Sequence, residues 1–398
     1  MPERLAIDGG TPVRRRLLPY SHQQIDIRDI AAVVEVLRSE WLTTGPAVES
    51  YEKRFAEFVG AKHAVAVSSG TAALHAAAFT AGIGPGDDVV TSPITFAATA
   101  NCVLYCGGRP VFADIQPDTG NFDPAALECF IAPQTKAILA VDFAGQPADH
   151  EEIRDLAARR GLTVIEDAAH ALGAQYKSRK VGALARMTAF STHPVKPITT
   201  GEGGVITTDE DALAQRLRAF RNHGICRDAT ARAREGDWFY EMNELGFNYR
   251  LPDILCAIGK SQLEKAETWR ERRAAIAAHY DEALSNIPAI APLTQHSDRV
   301  SAWHLYVIQL RLERLRVDRK NVFRALRAEG IGVNVHYIPV YWHPYYQELG
   351  YKRGQCPIAE AFYERALTLP LWAGMTDEDA NDVITAVNKV ITAYRSDH

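Results

Sequence analysis

The chain has 398 residues, of which 47% are hydrophobic and 23% are charged. These values predict a globular protein with a large core and two domains, and they exclude extended disorder. A formal net charge of −5 without a long basic run excludes the charge pattern of a nucleic-acid-binding protein, and the strand-sized apolar runs exclude a membrane span.

The first two-thirds of the chain alternate short apolar runs with amphipathic or Ala-rich segments, a pattern typical of repeated β-α units. Most runs lack strict alternation, as expected for strands that helices cover on both faces. The runs predict strands over residues 64–67, 88–91, 110–113, 137–141, 163–166, 187–190 and 204–207, with helices over 72–81, 97–105, 124–131 and 151–160. We therefore predict a parallel or mixed sheet between helices, with functional sites at the carboxyl ends of its strands.

After residue 251 the pattern changes to one long predicted helix over residues 252–284 and then to separate strands and helices. Strands are predicted over residues 304–310 and 332–337, and helices over 319–329 and 378–394. We expect residues 1–255 to form an N-terminal arm and a large domain, and residues 256–398 to form a linking helix and a smaller α/β domain. Residues 225–240 predict a mobile surface loop.

Lys196 has an informative setting, because Pro197 follows it and a Gly-rich run begins at residue 201. A residue before proline is pushed out of helical geometry, so Lys196 is predicted in extended or turn backbone. A partly desolvated amine in such a loop has a lowered pKa and can form a Schiff base with a carbonyl. A lysine beside Gly and Pro is more often a solvated loop residue. A cofactor role therefore needs support from other segments.

Asp167 and the segment 68–71 supply such support, because both follow predicted strands. A carboxylate at a buried strand end needs a partner, and a pyridinium N–H would satisfy it; a satisfied structural Asp, for example one that caps a following helix, is the alternative. Gly70 and Thr71 open a helix whose free N–H groups can face a phosphate, with Thr71 capping the helix and offering its hydroxyl. A simple helix cap is the alternative here.

Three further residues could complete a ring-binding site. Phe96 follows a strand and could stack on a flat ring, with core packing as the alternative. His170 could contact a ring hydroxyl or support Asp167, and an ordinary histidine at a helix start is equally compatible. Ser191 precedes Lys196 by five residues, so one loop could bring both to one ligand. With Lys196 and Asp167, these residues predict a pyridoxal phosphate (PLP) site.

Other kinds of site are less favoured. The sequence has no dinucleotide-binding Gly-x-Gly-x-x-Gly after a strand, no Gly-x-x-x-x-Gly-Lys-Ser/Thr phosphate loop and no Gly-x-Ser-x-Gly elbow. His336 and His343 lack a metal-ligand spacing, so we expect no metal site. The six scattered cysteines form no Cys-x-x-Cys pair, and the first residues lack a secretory signal, so we expect reduced thiols and a cytoplasmic protein.

In these motifs the chain resembles the DegT/DnrJ/EryC1/StrS family of sugar-nucleotide aminotransferases, which are fold type I PLP enzymes. The resemblance extends from about residue 7 to the C-terminal helix. It is carried by SSGTAAL at residues 68–74, PITFAATAN at 93–101, EDAAH at 166–170, KPITTGEGG at 196–204, RNHG at 221–224 and GFNYR at 246–250. It implies a large domain with a central, mostly parallel seven-stranded sheet between helices and a smaller C-terminal α/β domain.

The resemblance also implies roles for individual residues. Lys196 would carry the cofactor as a Schiff base and move the proton between substrate and cofactor. Asp167 would pair with the pyridinium nitrogen, and Phe96 would stack on the ring. Many family members have Gln where His170 stands, which would contact the ring hydroxyl. The cofactor phosphate would be held by Gly70, Thr71 and Ser191 of one subunit and by Asn248 of its neighbour, so that a homodimer would form composite sites.

Three further segments are WLTTG at residues 41–45, KPITT at 196–200 and VHYIPVY at 335–341. In these segments, within the family, the chain is most similar to enzymes that aminate C4 of UDP-4-keto-6-deoxy-N-acetylhexosamines. The resemblance implies L-glutamate as the amino donor and a keto-sugar nucleotide as the acceptor. The residues implied for the sugar-nucleotide site are Tyr20, Trp41, Leu42, Thr43, His336 and Tyr337, and a shared scaffold role for them is the alternative. Three other activities stay open: a different 3- or 4-aminotransferase of this class, a PLP-dependent sugar dehydratase, and a non-catalytic PLP-binding regulator. The resemblance to such dehydratases would imply His at the position where this chain has Lys196.

Overall fold

A computed structural model of the protein describes residues 3–226 and 229–396. Within these residues the α-helices are α1 (Ile27–Arg38), α2 (Pro46–Val59), α3 (Gly70–Thr80), α4 (Ala98–Tyr105), α5 (Pro124–Leu127), α6 (His150–Arg160), α7 (Asp211–Phe220), α8 (Ala229–Glu235), α9 (Asp253–Leu263), α10 (Ala266–Leu284), α11 (Arg319–Ala328), α12 (Pro344–Glu348), α13 (Pro357–Arg365) and α14 (Asp377–Tyr394). The strands are β1 (His63–Val67), β2 (Asp88–Thr91), β3 (Arg109–Phe112), β4 (Thr135–Val141), β5 (Thr163–Asp167), β6 (Gln175–Tyr176), β7 (Arg179–Lys180), β8 (Met187–Ser191), β9 (Gly204–Thr208), β10 (Ile225–Cys226), β11 (Glu241–Met242), β12 (Ile290–Pro292), β13 (Arg299–Val300), β14 (Tyr306–Leu310) and β15 (Ala366–Leu369).

Seven strands form the central sheet, in the order β1-β9-β8-β5-β4-β2-β3. The strands from β3 to β8 in this order are parallel, and β9 runs antiparallel to both β8 and β1. The prediction of a mostly parallel seven-stranded sheet is therefore confirmed. Each predicted strand of the first two-thirds overlaps one strand of this sheet, with ends that differ by at most two residues.

Helices cover both faces of the central sheet, which explains the unbroken apolar runs. In β5, Ile165 packs in a buried cluster with the Ala-rich α3, whereas Val164 packs in another cluster with α6. A strand that is buried on both faces needs apolar side chains at successive positions. In β5 the successive residues Val164 and Ile165 are therefore both apolar, and the polar pair Glu166 and Asp167 follows them.

The C-terminal part contains a second, smaller sheet in which β14 pairs antiparallel with both β12 and β15. Helices α10, α11 and α14 pack against it, and Tyr280, Ile308, Leu326 and Val387 share one buried cluster. The predicted limit between residues 255 and 256 falls inside α9 and stays a prediction. Among the described helices, none has both the length and the apolarity to cross a membrane.

The single helix predicted over residues 252–284 is wrong, because the chain forms α9 and α10 with a break at Glu264 and Lys265. At this break the buried Lys265 ammonium donates to both carboxylate oxygens of Asp29, at 2.7 and 2.8 Å. Asp29 belongs to the capping box at the start of α1. A tertiary ion pair therefore holds the broken arrangement, and no Pro or Gly marks it in the sequence.

Three shorter predictions are also corrected. Residues 332–337 do not form a strand; Asn334 makes a bridge to Thr368 of β15, and the segment continues into the cleft described below. The predicted helix over residues 124–131 divides into α5 and a 3-10 turn, Glu128–Phe130. Helix α8 replaces part of the loop predicted over residues 225–240, of which 227–228 lie outside the described residues. The mobility of this segment stays a prediction.

Candidate active site

The carboxyl ends of β1, β2, β4, β5 and β8 meet at one edge of the central sheet, because these strands run in the same direction. The loops after them, together with residues 334–337, enclose a cleft of about 540 Å³. Its lining includes most of the residues predicted for cofactor and substrate, namely Tyr20, Gly70, Thr71, Phe96, Asp167, His170, Ser191, Lys196, His336 and Tyr337. The structure therefore brings these residues into a single cavity.

Asp167 ends β5 and is only 6% exposed. One carboxylate oxygen accepts a hydrogen bond from the Thr99 hydroxyl at 2.6 Å, and the other accepts one from the Ala169 N–H at 3.1 Å. Both donors are neutral, and among the described residues no cation forms an ion pair with this carboxylate. Burial raises the pKa of Asp167, although Thr99, Ala169 and the charge of Lys196 act to lower it. A cation that enters the cleft would therefore find an unneutralised carboxylate.

Lys196 lies in a turn, where its N–H donates to the His193 carbonyl at 2.9 Å. Its side chain is partly buried and lines the same cleft as Asp167. Burial lowers the pKa of Lys196 to about 8, although the charge of Asp167 acts to raise it. Since an ordinary lysine has a pKa of about 10.4, a much larger fraction of Lys196 is neutral near pH 7. A neutral amine can act as a nucleophile and can accept a proton.

The start of α3 and the end of β8 form an anion cradle. The helix is capped by Ser69, whose hydroxyl accepts from the Ala72 N–H at 3.1 Å, so the prediction that Thr71 is the cap is wrong. Thr71 instead lies in the first turn and lines the cleft. A Cβ at Gly70 would lie 2.7 Å from the Ser191 Cβ, so only glycine allows this close approach. The first-turn N–H groups and the Thr71 and Ser191 hydroxyls are a set of donors that suits a phosphate.

Aromatic side chains form the walls of the cleft. Phe96 is 61% exposed although it is large and apolar, and its ring lies 6.3 Å from that of Tyr337. Tyr20 and His336 have ring centroids 5.5 Å apart, and the His336 Nδ1 lies 2.8 Å from the Thr368 hydroxyl. Core packing, the alternative for Phe96, does not agree with its exposure. A flat ring can stack on such a wall.

Residues 168–174 form turns and not a helix, so Asp167 caps no helix and His170 does not lie at a helix start. The His170 Nε2 lies 3.0 Å from the Tyr337 hydroxyl, and its Nδ1 has no hydrogen-bond partner among the described residues. Burial, followed by the charge of Lys196, lowers the pKa of His170 well below its usual value. A neutral imidazole with one free nitrogen can contact a ring hydroxyl.

Four predicted site residues lie outside the cleft of their own chain: Trp41, Leu42, Thr43 and Asn248. Asn248 is exposed and stands next to Tyr249, whose carbonyl accepts from the Ser68 N–H at 2.8 Å. Trp41 is 51% exposed, and the Leu42 carbonyl accepts from the Asp253 N–H at the start of α9. These residues therefore lie on the surface, away from the cleft of their own chain.

A buried group next to the site was not predicted from the sequence. The His150 Nε2 lies 2.8 Å from an Asp142 oxygen and 2.9 Å from a Glu166 oxygen, and all three side chains are at most 1% exposed. The two carboxylates outweigh the effect of burial and raise the pKa of His150 to about 10. The three residues are also spaced closely enough to hold a metal ion. The imidazolium lies within ion-pair distance of both carboxylates and forms its hydrogen bond with Asp142, so an ion pair accounts for the clustering of the three residues.

Thr99 was also missed. It lies in the first turn of α4, three residues after Phe96, and donates to Asp167. A threonine at this offset from a ring-stacking aromatic, within the segment 93–101, was the available sequence signal.

The side chains of the cleft fit PLP. Among the described residues Asp167 has no cationic partner, Lys196 offers a low-pKa amine, and the start of α3 offers donors for a phosphate. These groups match the pyridine nitrogen, the aldehyde and the phosphate of PLP, respectively. The cleft therefore has a partner for each polar part of this cofactor.

Comparisons with known proteins agree with this geometry. The model of the DegT/DnrJ/EryC1/StrS aminotransferase family matches residues 23–388. The spore coat polysaccharide biosynthesis protein SpsC of Bacillus subtilis is 45% identical over 381 residues, which cover 95% of this chain and 98% of SpsC. The Helicobacter pylori aminotransferase PseC, involved in the biosynthesis of pseudoaminic acid, is 34% identical with a TM-score of 0.89, covering 95% of this chain and 100% of PseC.

A third relative concerns the cofactor. Spr1654 of Streptococcus pneumoniae, solved in a PMP form, has a TM-score of 0.90 and 31% identity, covering 94% of this chain and 99% of that protein. It has also been solved in a PLP form. Fold, site and relatives together define a PLP-dependent sugar aminotransferase. The chain belongs to the DegT/DnrJ/EryC1/StrS aminotransferase family.

Proposed function

We propose that the enzyme moves an amino group from L-glutamate to a keto-sugar nucleotide, with C4 of a UDP-4-keto-6-deoxy-N-acetylhexosamine as the acceptor carbon. The observation that carries the proposal is the pairing, in one cleft, of a low-pKa lysine with a buried carboxylate that has no cationic partner. PLP, when bound, supplies a carbonyl that carries the amino group and a ring that withdraws electrons.

In this proposal Lys196 takes a proton from the carbon that bears the amino group of the donor and returns it when the amino group is delivered. A pKa of about 8 suits both directions of transfer near neutral pH, because neither protonation state is strongly disfavoured. With the cofactor bound, Asp167 would accept a hydrogen bond from the ring nitrogen and keep it protonated. Thr71 and Ser191 would donate to the phosphate, and Phe96 would offer its ring as a stacking surface.

The proposed acceptor site lies between Tyr20, His336 and Tyr337. Their hydroxyl and imidazole groups offer hydrogen bonds to a sugar, and their faces offer apolar contact. The proposal of C4 and of a UDP-sugar draws support from PseC, whose name refers to pseudoaminic acid biosynthesis, and from the motifs at residues 41–45 and 335–341. SpsC, named for spore coat polysaccharide biosynthesis, supports a role in carbohydrate assembly.

We also propose a homodimer with composite sites in the cytoplasm. Asn248 is exposed and lies outside its own cleft. The carbonyl of its neighbour Tyr249 nevertheless accepts from the Ser68 N–H, directly before the anion cradle. In a dimer Asn248 would reach the cofactor phosphate of the other subunit, and Trp41, Leu42 and Thr43 would reach its sugar nucleotide. Mixing two inactive variants, Lys196→Ala and Asn248→Ala, should restore activity in heterodimers if sites are shared. Two separate, independent sites would give no recovery.

The test of the proposed function is incubation with L-glutamate and a panel of keto-sugar nucleotides, with detection of the product by mass. We expect an aminated UDP-sugar from the wild type and at least a ~10⁴-fold loss in Lys196→Ala. Lys260→Ala, on the exposed face of α9, is the control and should match the wild type. Full turnover by Lys196→Ala would refute the assigned role of the lysine.

The same incubation separates the alternatives. A deoxygenated product without nitrogen would indicate a sugar dehydratase. Bound cofactor whose absorbance does not change on addition of L-glutamate would indicate a regulator. Amination of another keto-sugar at C3 or C4 would keep the aminotransferase and replace the proposed acceptor.

A further inference from the structure

Arg273, on α10, is a buried cation without a counter-ion. The residue is 4% exposed, and its Nε donates to the Ala302 carbonyl at 3.0 Å. The buried Nη2 has no hydrogen-bond partner among the described residues, and none of their carboxylates forms an ion pair with the guanidinium. The other two arginines of the same turn differ, because Arg270 pairs with Glu267 at 2.6 Å and Arg272 with Asp377 at 2.7 Å. An unpaired buried guanidinium is costly unless a ligand completes it.

Arg273 lines a small second cavity that shares Lys196 with the main cleft. Val195 and Lys196 belong to the walls of both cavities. The second cavity has a volume of about 30 Å³, and its walls also include Trp269 and His304. Such a space holds a water molecule or a group of a few atoms, but it cannot hold a sugar. A small group bound there would lie beside the reactive amine.

The surroundings of this cavity favour an anion. His304 and His170, with ring centroids 4.4 Å apart, are both buried, and burial lowers the pKa of each well below its usual value. Burial also lowers the pKa of Arg273 to about 10, so the guanidinium is still charged at neutral pH. Arg273 and the protonated fraction of Lys196 thus supply positive charge. The two histidines are neutral and contribute no negative charge. A carboxylate is the small anion that an arginine binds best with two parallel hydrogen bonds.

We propose that Arg273 is the residue that binds a carboxylate of the amino donor. The inference rests on the proposed function, because it takes the donor to be an acidic amino acid whose amino group must reach the position of Lys196. The unsatisfied Nη2 belongs to a side chain that lines a cavity next to that amine, and it provides the partner that a desolvated carboxylate needs. Arg273 would then select amino acids over simple amines and orient the donor for transfer of its proton to Lys196.

The test compares Arg273→Gln with Arg272→Gln, a control at the adjacent, partly exposed arginine, which pairs with Asp377. Three quantities are measured on the holoenzyme or during its assembly: the Kd of glutarate by calorimetry, the rate of spectral conversion of the bound cofactor by L-glutamate, and the Kd of PLP. For Arg273→Gln we expect at least a ~10-fold weaker glutarate Kd and a ~100-fold slower conversion at low glutamate, with the PLP Kd unchanged. Arg272→Gln should match the wild type in all three.

Other outcomes overturn the inference. Equal glutarate affinity in Arg273→Gln and wild type would mean that the guanidinium binds a water molecule and not the donor carboxylate. A loss of PLP affinity in parallel with the other two quantities would indicate a purely structural role. Arg273→Lys keeps the charge and covers the case in which the Gln variant does not fold: it should bind glutarate more weakly than wild type, and an unchanged Kd would contradict bidentate binding. Failure of wild type to convert with L-glutamate would refute the proposed function, whereas conversion without sensitivity to Arg273 would refute this inference alone.

Discussion

Glu166 and Asp167 are adjacent carboxylates at the end of the same buried strand, yet their surroundings differ completely. Glu166 lies 2.9 Å from the His150 imidazole and accepts from the Thr188 hydroxyl at 2.6 Å. Burial acts to raise the pKa of Glu166, but His150 outweighs it, so the pKa is lowered. Asp167 receives hydrogen bonds only from neutral donors among the described residues, and burial raises its pKa.

The difference distinguishes a carboxylate with a structural role from one that is available to pair with a cation of a ligand. Successive side chains of a strand point to opposite faces, so one residue meets the protein interior and the next meets the cleft. The interior supplies its own cation, His150, for Glu166 and Asp142. The cleft supplies Asp167 with no such partner, and this is the arrangement expected if the cation belongs to the cofactor. Burial alone therefore does not identify a functional acid. Asp167 combines burial with neutral donors only and with a position in the wall of the cleft.

Of the two carboxylates, Asp167 should show the larger effect on activity when it is exchanged for an amide. Asp167→Asn removes the charge that keeps the ring nitrogen protonated, so we expect kcat to fall by about 10²- to 10⁴-fold. Glu166→Gln should retain kcat within about threefold per molecule of holoenzyme, because the amide still accepts from Thr188. Steady-state kinetics at saturating PLP make the comparison. Equal losses in both variants would mean that the two carboxylates do not differ in function.

The largest effect on stability should come from His150→Leu. This change leaves Asp142 and Glu166 buried against each other without a cation, which should lower the free energy of unfolding by about 3–5 kcal/mol. Thr188→Val is the milder comparison, because it removes one neutral donor and should cost about 1 kcal/mol. Urea unfolding of both variants measures these values. A His150→Leu variant as stable as Thr188→Val would show that the imidazolium does not neutralise the pair.

A smaller effect, on the affinity for PLP, is expected at the anion cradle. In Gly70→Ala the new Cβ would meet Ser191 at 2.7 Å, so we expect the helix start to shift at a cost of about 1–3 kcal/mol. The apparent Kd for PLP should rise by a corresponding factor of about 5 to 150. Gly84→Ala is the control, because a Cβ there would meet no atom within 4 Å. Unchanged PLP affinity in Gly70→Ala would place the phosphate elsewhere.

The smallest effect concerns Lys196 in the cofactor-free protein. Its folded pKa of about 8 lies below its unfolded value, so between these two values the unfolded state binds more protons and stability rises with pH. This contribution is lost as the pH falls through 8. The free energy of unfolding of wild type minus that of Lys196→Met should therefore rise from pH 8 to 10, by at most about 1.4 kcal/mol per pH unit. A constant difference would mean that burial does not perturb this amine.

The central sheet was predictable because its strands are local apolar runs that both faces of a covered sheet require. The residues Gly70, Phe96, Asp167, Ser191 and Lys196 could be placed at one edge for the same reason, since each follows or ends a strand that runs in the same direction. The break between α9 and α10 could not be predicted, because it depends on a contact between Lys265 and Asp29, more than 200 residues apart.

Features that depend on side-chain contacts were also inaccessible. Whether Ser69 or Thr71 caps α3 is decided by backbone geometry within one turn, where both residue types are suitable. The His150 pair with Glu166 and the unpaired state of Arg273 follow from where neighbouring elements place their carboxylates. The position of Trp41 outside its own cleft follows from the packing of its segment against α9, and the sequence motif carried no sign of it.

The most direct test of the central claim is the protonation state of the bound cofactor, measured by ¹⁵N NMR with a label at the ring nitrogen. We expect a protonated nitrogen at neutral pH in wild type and in Glu166→Gln, and an unprotonated nitrogen in Asp167→Asn. A protonated nitrogen in Asp167→Asn, or an unprotonated one in wild type, would contradict the assignment of Asp167 as the carboxylate reserved for the cofactor.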